Sequence, residues 1–441
     1  MLDALRANPC RFIEALLDRR QLLRTWRAWR QRGTQAIYDE ITLARAVATT
    51  TPPSGLIPRA TDEQKAVLVI DARVPIYDRD SGSRSSFLYL QILRDLGYRV
   101  YFLPNDQLRR EPYACELERN GVELLIGPGF RCNHWKHWLR RHAHHISHVI
   151  LHRPNIAKRF LPGIQEIGGM KLLYFACDLR SLRDARHYQV NRDTFYRREA
   201  DYWEVIERAI IAQVDRAYFF SAEETRIAST WTGGTKARTV PLFPQAVVAS
   251  QGPNYSQRSG ILFVGGFAHQ PNVDAVLWFA RNVFPLVRRA LPNLHWHVVG
   301  PQPSAEIRQL AGNGIVIEGP VTEIRLTALY DQARIVVAPL RFGAGIKGKV
   351  VEAITHGIPV VTTSVGAEGI PGAETFLCIS DTAQDQAELI IELYGDQQSW
   401  ERVSRQVTTA AVTLMSRDCA LTTLAEGLAL TPTPDDPPQM P

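Results

Sequence analysis

Short, continuous apolar runs alternate with amphipathic stretches along most of this chain, and that alternation confines it to a parallel α/β architecture. The first run is Ala66-Val67-Leu68-Val69-Ile70. Further runs are Arg99–Leu103, Val122–Ile126, His148–Leu151, Lys171–Phe175 and Arg216–Phe220. Unbroken apolar segments of this length suit strands covered on both faces. Helical periodicity separates them, as over Ser85–Leu96 and Asp201–Gln213, so a parallel sheet with flanking helices is expected. A second series starts at Gly260-Ile261-Leu262-Phe263-Val264 and continues through His295–Val299, Gly314–Ile317, Arg334–Ala338, Ile358–Thr362 and Phe376–Ile379. Ser250-Gln251-Gly252-Pro253-Asn254 reads as the linker between them. Residues 65–250 and 258–410 are thus expected as two Rossmann-like domains, with 411–428 a helix returning to the first.

At 441 residues, two or three domains of about 150 residues each are the natural division. The net charge of +6 suits acidic small molecules or an anionic surface. No zinc-finger spacing or recognition-helix pattern accompanies it, so nucleic acid is not an expected partner. The six cysteines form no C-x-x-C or short-spaced framework, which reads as reduced thiols in a cytoplasmic protein. No apolar stretch reaches the roughly 18 residues of a membrane span, and the N-terminus lacks a secretory apolar region.

Residues 1–55 read as a basic helical extension and linker. Leu22, Trp26 and Trp29 form one helical stripe beside Arg19, Arg20, Arg24, Arg27 and Arg30. The favoured reading is a helix docked on the main body; the alternative is peripheral contact with an anionic membrane face. Residues 429–441 are too rich in proline to pack.

The densest chemistry lies in Arg341-Phe342-Gly343-Ala344-Gly345-Ile346-Lys347-Gly348-Lys349-Val350-Val351-Glu352-Ala353. It follows an apolar strand and opens a helix. Glycines admit backbone N–H groups close to an anion, the helix tip adds partial positive charge, and Lys347 and Lys349 add two full charges. Glu352 lies three residues beyond Lys349, on the same helix face. A diphosphate at the amide end and a sugar diol at the carboxylate fit that layout.

Gly343, Gly345 and Gly348 spell G-x-G-x-x-G, and Glu368 lies about twenty residues on, as a dinucleotide fingerprint asks of its acid. Yet Glu368 falls well past the end of the next strand. Gly343–Lys349 also spell G-x-x-x-x-G-K, but Val350 has no hydroxyl for magnesium. The third reading is a resemblance to glycosyltransferase family 4. It rests on Gly345, Lys347, Lys349, Glu352 and Ala353, followed by Gly357-Ile358-Pro359-Val360 and Thr363–Gly369. The resemblance implies the GT-B fold, two Rossmann-like domains facing a central cleft. It implies that Lys347 and Lys349 contact a donor diphosphate and that Glu352 holds ribose. Gly343, Ile346, Gly348 and Glu368 join the same donor site. Relatives often carry a second Glu at the position of Ala344, where it contacts the donor sugar.

Val264-Gly265-Gly266-Phe267-Ala268-His269-Gln270-Pro271-Asn272 is similar to the same family. Gly265 and Gly266 are expected to face the donor phosphates, with His269 and Asn272 beside them. Many relatives place a phosphate-binding Lys near position 274, and Asp274 stands here. In the first block, Gly82, Ser83 and Arg84 resemble a glycine loop that faces the acceptor. His152, Arg153 and Asp178 follow strands and point to the acceptor side, where Asp178 or His152 is able to orient a hydroxyl. Asp78-Arg79-Asp80 has the metal-binding form of a different transferase fold, but the lysines already balance a diphosphate, so no metal is expected.

The resulting expectation is a retaining glycosyltransferase. It moves a sugar from a UDP- or GDP-type donor to a polysaccharide, oligosaccharide or lipid-linked acceptor, with the nucleotide sugar as co-substrate and no cofactor. A sugar-nucleotide 2-epimerase and a non-catalytic partner in glycan assembly are the rivals.

Overall fold

The computed structural model describes residues 65–78, 81–234, 236–243, 253–415 and 417–429. The basic extension, Arg79-Asp80 and the proline-rich tail lie outside them.

Two all-parallel sheets organise the chain. The first contains β1 (Ala66–Asp71), β2 (Arg99–Pro104), β3 (Val122–Leu124), β4 (Ile146–His152), β5 (Lys171–Ala176), β6 (Arg216–Phe219) and β7 (Ala237–Thr239). Their spatial order is β3-β2-β1-β4-β5-β6-β7. The second contains β8 (Ile261–Val264), β9 (Trp296–Val299), β10 (Ile315–Gly319), β11 (Ile335–Ala338), β12 (Val360–Thr362) and β13 (Cys378–Ile379). Its order is β10-β9-β8-β11-β12-β13. Both are doubly wound, and each reverses direction beside its first strand. Ligands of such sheets bind beyond the carboxyl ends of the strands at that reversal. The two reversals fall at β1/β4 and β8/β11.

β1 explains why the pattern was legible: all six of its residues are buried, as helix-covered sheet faces demand. Edge strand β7 was missed. Only Ala237 of its three residues is buried, so Arg238 and Thr239 gave no apolar run to read.

The helix Gln397–Leu414 packs on the second domain through Val403, Val407, Ala410 and Ala411. The next, Arg417–Ala429, crosses over and buries Ala420, Leu424 and Leu428 among first-domain residues such as Val100 and Tyr218. Ile346 packs against the cores of both domains.

One expectation fails on the cysteines. Cys115, Cys177, Cys378 and Cys419 form no disulfide, but Cys132 is disulfide-bonded. None of these four is fully buried; three are partly covered and Cys419 is exposed. Among the described residues, no helix is long and apolar enough to cross a membrane.

Candidate functional site

The strand β11 ends at Ala338, and the glycine loop carries the chain to the helix Gly348–Thr355. Lys347 is the N-cap residue, and no side chain caps that helix. Its opening turn thus presents amide N–H groups and positive dipole to whatever binds there. Gly345 has φ of 69°, a left-handed backbone that glycine adopts without strain. A Cβ there would lie 3.1 Å from the Cys177 carbonyl oxygen and 3.3 Å from the Asp178 Cβ. The loop of the second domain therefore sits directly on the β5 end of the first.

The two lysines are both half-buried but play different local parts. Lys347 bonds the Gly345 carbonyl. Lys349 bonds the Asn272 side chain, and its ammonium lies 4.7 Å from the Phe263 ring centre. Asn272 in turn donates to the Gly266 carbonyl at 2.8 Å. A Cβ on Gly265 would stand 2.9 Å from the Lys349 Nζ. So the glycine turn after β8, the start of helix Gln270–Asn282 and the tip of helix Gly348–Thr355 meet at Lys349. Asn272 is the clamp of that junction. His269 closes the turn by donating its backbone N–H to the Gly266 carbonyl at 3.2 Å.

Burial lowers both ammonium pKa values. Lys349 falls to about 7, from loss of solvation first and repulsion by Lys347 second, against the pull of Glu352. Lys347 is lowered by the same loss of solvation, offset by Glu368 and Glu224. Two crowded cations of this kind gain when an anion arrives.

Glu352 is held from two sides. Its Oε1 accepts from Arg84 Nη1 at 2.6 Å and its Oε2 from the Tyr330 hydroxyl at 3.0 Å. Arg84 also bonds Glu323 at 2.7 Å and the Tyr77 carbonyl at 3.1 Å. Gly82, Ser83 and Arg84 form no loop: the helix begins at Ser81, four residues earlier than the apolar periodicity indicated. Its opening is polar, yet Ser83, Ser85 and Ser86 are buried, so residues that pattern reading assigns to solvent pack inward. A Cβ on Gly348 would lie 2.5 Å from the Ser81 Cβ, a second close approach of the domains.

Glu368 pairs with Arg186 at 2.6 Å, and Arg186 Nη1 donates to the Gly343 carbonyl at 2.9 Å. Phe342 stacks on His187 with ring centres 4.1 Å apart. Asp178 pairs with Arg183. His152 and Arg153 belong to a separate network at the β1/β4 reversal. Asp71 accepts from Arg153 Nε at 3.0 Å and from the Ser86 hydroxyl at 2.8 Å, and Ser86 also meets His152 Nδ1 at 2.9 Å. Arg153 has φ of 71°, a strained backbone for a non-glycine residue. Burial lowers the His152 pKa despite Asp71, while Arg153 and His152 bring Asp71 below the usual carboxylate value against the cost of its burial.

Sequence reading missed Glu224, Arg186, His187, Tyr330 and Arg341. Arg341 pairs with Asp274, Nε to Oδ2 at 2.9 Å, so a cation does stand beside position 274. Only Glu224 left a signal: Ser221-x-x-Glu224 has capping-box spacing. Ser221 does accept from the Glu224 amide at 3.4 Å, but the Glu224 carboxylate goes elsewhere. Its Oε1 accepts from the Leu179 amide at 2.7 Å.

The architecture is a GT-B fold, two Rossmann-like parallel-sheet domains that meet at the glycine loop of the second. Residues 258–396 match the family model described as glycosyl transferases group 1. Solved structures of the same fold include sucrose-phosphate synthase from Thermosynechococcus elongatus, at a TM-score of 0.62 and 15% identity over 82% of this chain and 98% of that one. The lipopolysaccharide glycosyltransferase WaaG aligns at 0.58 and 17% identity, covering 82% and 99%. Anabaena HepE, solved with UDP and glucose, aligns at 0.59 and 13% identity, covering 83% and 100%. An uncharacterized 44.6 kDa protein in the cps region of Klebsiella pneumoniae is 29% identical over 116 residues, which span 25% of this chain and 30% of that protein. The matched segment carries a group 1 glycosyl transferase domain, and the solved neighbours share the fold of the whole.

Proposed function

We propose that the chain transfers a sugar from a nucleoside-diphosphate donor to a glycan or lipid-linked acceptor, with retention at the anomeric carbon. The observation that carries the reading is the pairing of Lys347 and Lys349 at an uncapped helix tip, both with lowered pKa. A diphosphate there accepts charge-assisted hydrogen bonds from both ammoniums and from the loop amides. Glu352, fixed by Arg84 and Tyr330, offers its remaining lone pairs to ribose hydroxyls. The fold's neighbours support the donor class, since one of them was solved with UDP and glucose.

In this reading the bond between the anomeric carbon and the β-phosphate oxygen breaks, and its electron pair goes to the diphosphate. Lys347 and Lys349 stabilise that developing charge, the work a divalent ion does elsewhere. The acceptor hydroxyl bonds the anomeric carbon on the face the diphosphate leaves, and its proton passes to the departing phosphate oxygen. The acceptor lies on the β5 side, by Asp178.

The test is a panel of UDP-, GDP- and dTDP-sugars scored by thermal stabilisation, followed by transfer assays with the stabilising donor. A stabilising sugar nucleotide and an α-linked product from an α-donor are expected. Stabilisation by none of them, or an inverted product, contradicts the proposal.

A further inference from the structure

Glu224 lies in the helix Ala222–Thr232 of the first domain and is fully buried. Its Oε1 is satisfied by the Leu179 amide at 2.7 Å. Its Oε2 has no hydrogen-bond partner among the described residues. A buried carboxyl oxygen without a partner is costly, and native structures keep such atoms mainly where a ligand or function requires them. This oxygen faces the donor loop: a Cβ on Gly345 would lie 3.7 Å from it. The Glu368 Oε1 is likewise buried and unpaired. Lys347 is electrostatically linked to both acids, so the ammonium assigned to the diphosphate has two half-satisfied carboxyls for neighbours.

A diphosphate carries acceptors only, and the lysines and loop amides already supply its donors. The hydroxyl-bearing sugar attached to it both donates and accepts, so it matches a carboxyl oxygen in either protonation state. We infer that Glu224 is a specificity-determining residue for the transferred sugar, its Oε2 hydrogen-bonded to a sugar hydroxyl beside the Ala344–Gly345 peptide. The carboxyl comes from the first domain and stands beside the donor loop of the second. Gly345 lies over Oε2 in this structure, so the bound sugar has to displace that contact. This inference rests on the proposed donor class. It assigns the sugar contact to a residue outside the matched segment 258–396.

The test compares binding of UDP and GDP with binding of their glucose, galactose, mannose and N-acetylglucosamine esters, in wild type and Glu224→Ala. The nucleotide alone lacks the sugar, so its affinity should stay within about twofold. The extra affinity that the preferred sugar adds should fall at least fivefold, and discrimination between epimers should shrink with it. An unchanged sugar increment in the variant overturns the inference and leaves the donor class standing. Failure of wild type to bind any of the nucleotides overturns both. Should Glu224→Ala not fold, Glu224→Asp carries the same comparison, because it withdraws the oxygen by one methylene.

Discussion

Arg84 of the first domain places its Nη1 2.6 Å from the Oε1 of Glu352 in the second. The pair joins the start of the first sheet's opening helix to the donor helix, so the acid assigned to ribose is oriented by a residue of the other domain. Both side chains keep about a fifth of their surface exposed, which places the pair between the weak surface class and the costly buried one. Arg84→Ala should therefore weaken nucleotide binding by about threefold to tenfold, or roughly 0.7–1.4 kcal/mol. Glu352→Gln should weaken every nucleotide alike, since ribose is common to all. In a double-variant cycle on UDP or GDP affinity, additive effects would show that Arg84 does not act through Glu352.

Lys349→Ala should reduce donor affinity by about 1.5–3 kcal/mol, the range for a charge-assisted hydrogen bond. The neighbouring Asn272→Ala should cost less, because it loosens the lysine without removing its charge. Titration calorimetry with UDP and GDP distinguishes the two.

The lowered Lys349 value makes binding pH-dependent. In the free protein this ammonium titrates near 7. A bound diphosphate favours the charged form and raises that value. Affinity should thus be highest below pH 7 and fall as pH rises past it. At pH 8 binding should take up close to one proton, read from titrations in buffers of different ionisation enthalpy. Zero uptake would place the anion away from Lys349.

Much of this was legible in the sequence, for identifiable reasons. The strands announced themselves because both sheet faces are covered, and the donor loop because its glycines and lysines are consecutive. What stayed hidden depends on pairing between distant segments. Arg186 meets Gly343 and Glu368 only after two domains fold and close, and nothing near Arg186 in the chain marks it. Glu224 resembled an ordinary helix cap, and only the tertiary structure turns its carboxylate toward Leu179. The Arg341–Asp274 pair was hidden likewise, because position 274 was read for a lysine and a partner 67 residues away supplies the cation.

Gly427→Ala should destabilise the protein. A Cβ there would fall 1.6 Å from the Tyr218 hydroxyl oxygen, so the buried Tyr218 ring or the C-terminal helix must shift. Overpacking of this kind costs about 1–3 kcal/mol. Thermal denaturation should show a clearly lowered midpoint for Gly427→Ala, whereas Gly395→Ala, where a Cβ meets nothing, should lower it less.

Glu224 also predicts a stability profile. Burial first, and Asp178 second, raise its pKa to about 8, above the unfolded carboxyl. The folded state then holds a proton that the unfolded state releases, so this group's contribution is present below about pH 4.5 and is lost as pH rises through 8. Glu224→Gln cannot ionise. Its stability relative to wild type should rise between pH 5 and pH 8.5, measured by urea denaturation, and a flat difference would contradict the assigned ionisation.

The central claim is that the two lysines at the uncapped tip of helix Gly348–Thr355 hold the donor diphosphate. The most direct measurement is calorimetric titration of UDP and GDP into wild type and the Lys347→Ala/Lys349→Ala variant, with EDTA present throughout. Binding by wild type and its loss in the variant, with the fold retained by circular dichroism, is the predicted result. Equal affinity in the two proteins would contradict the account.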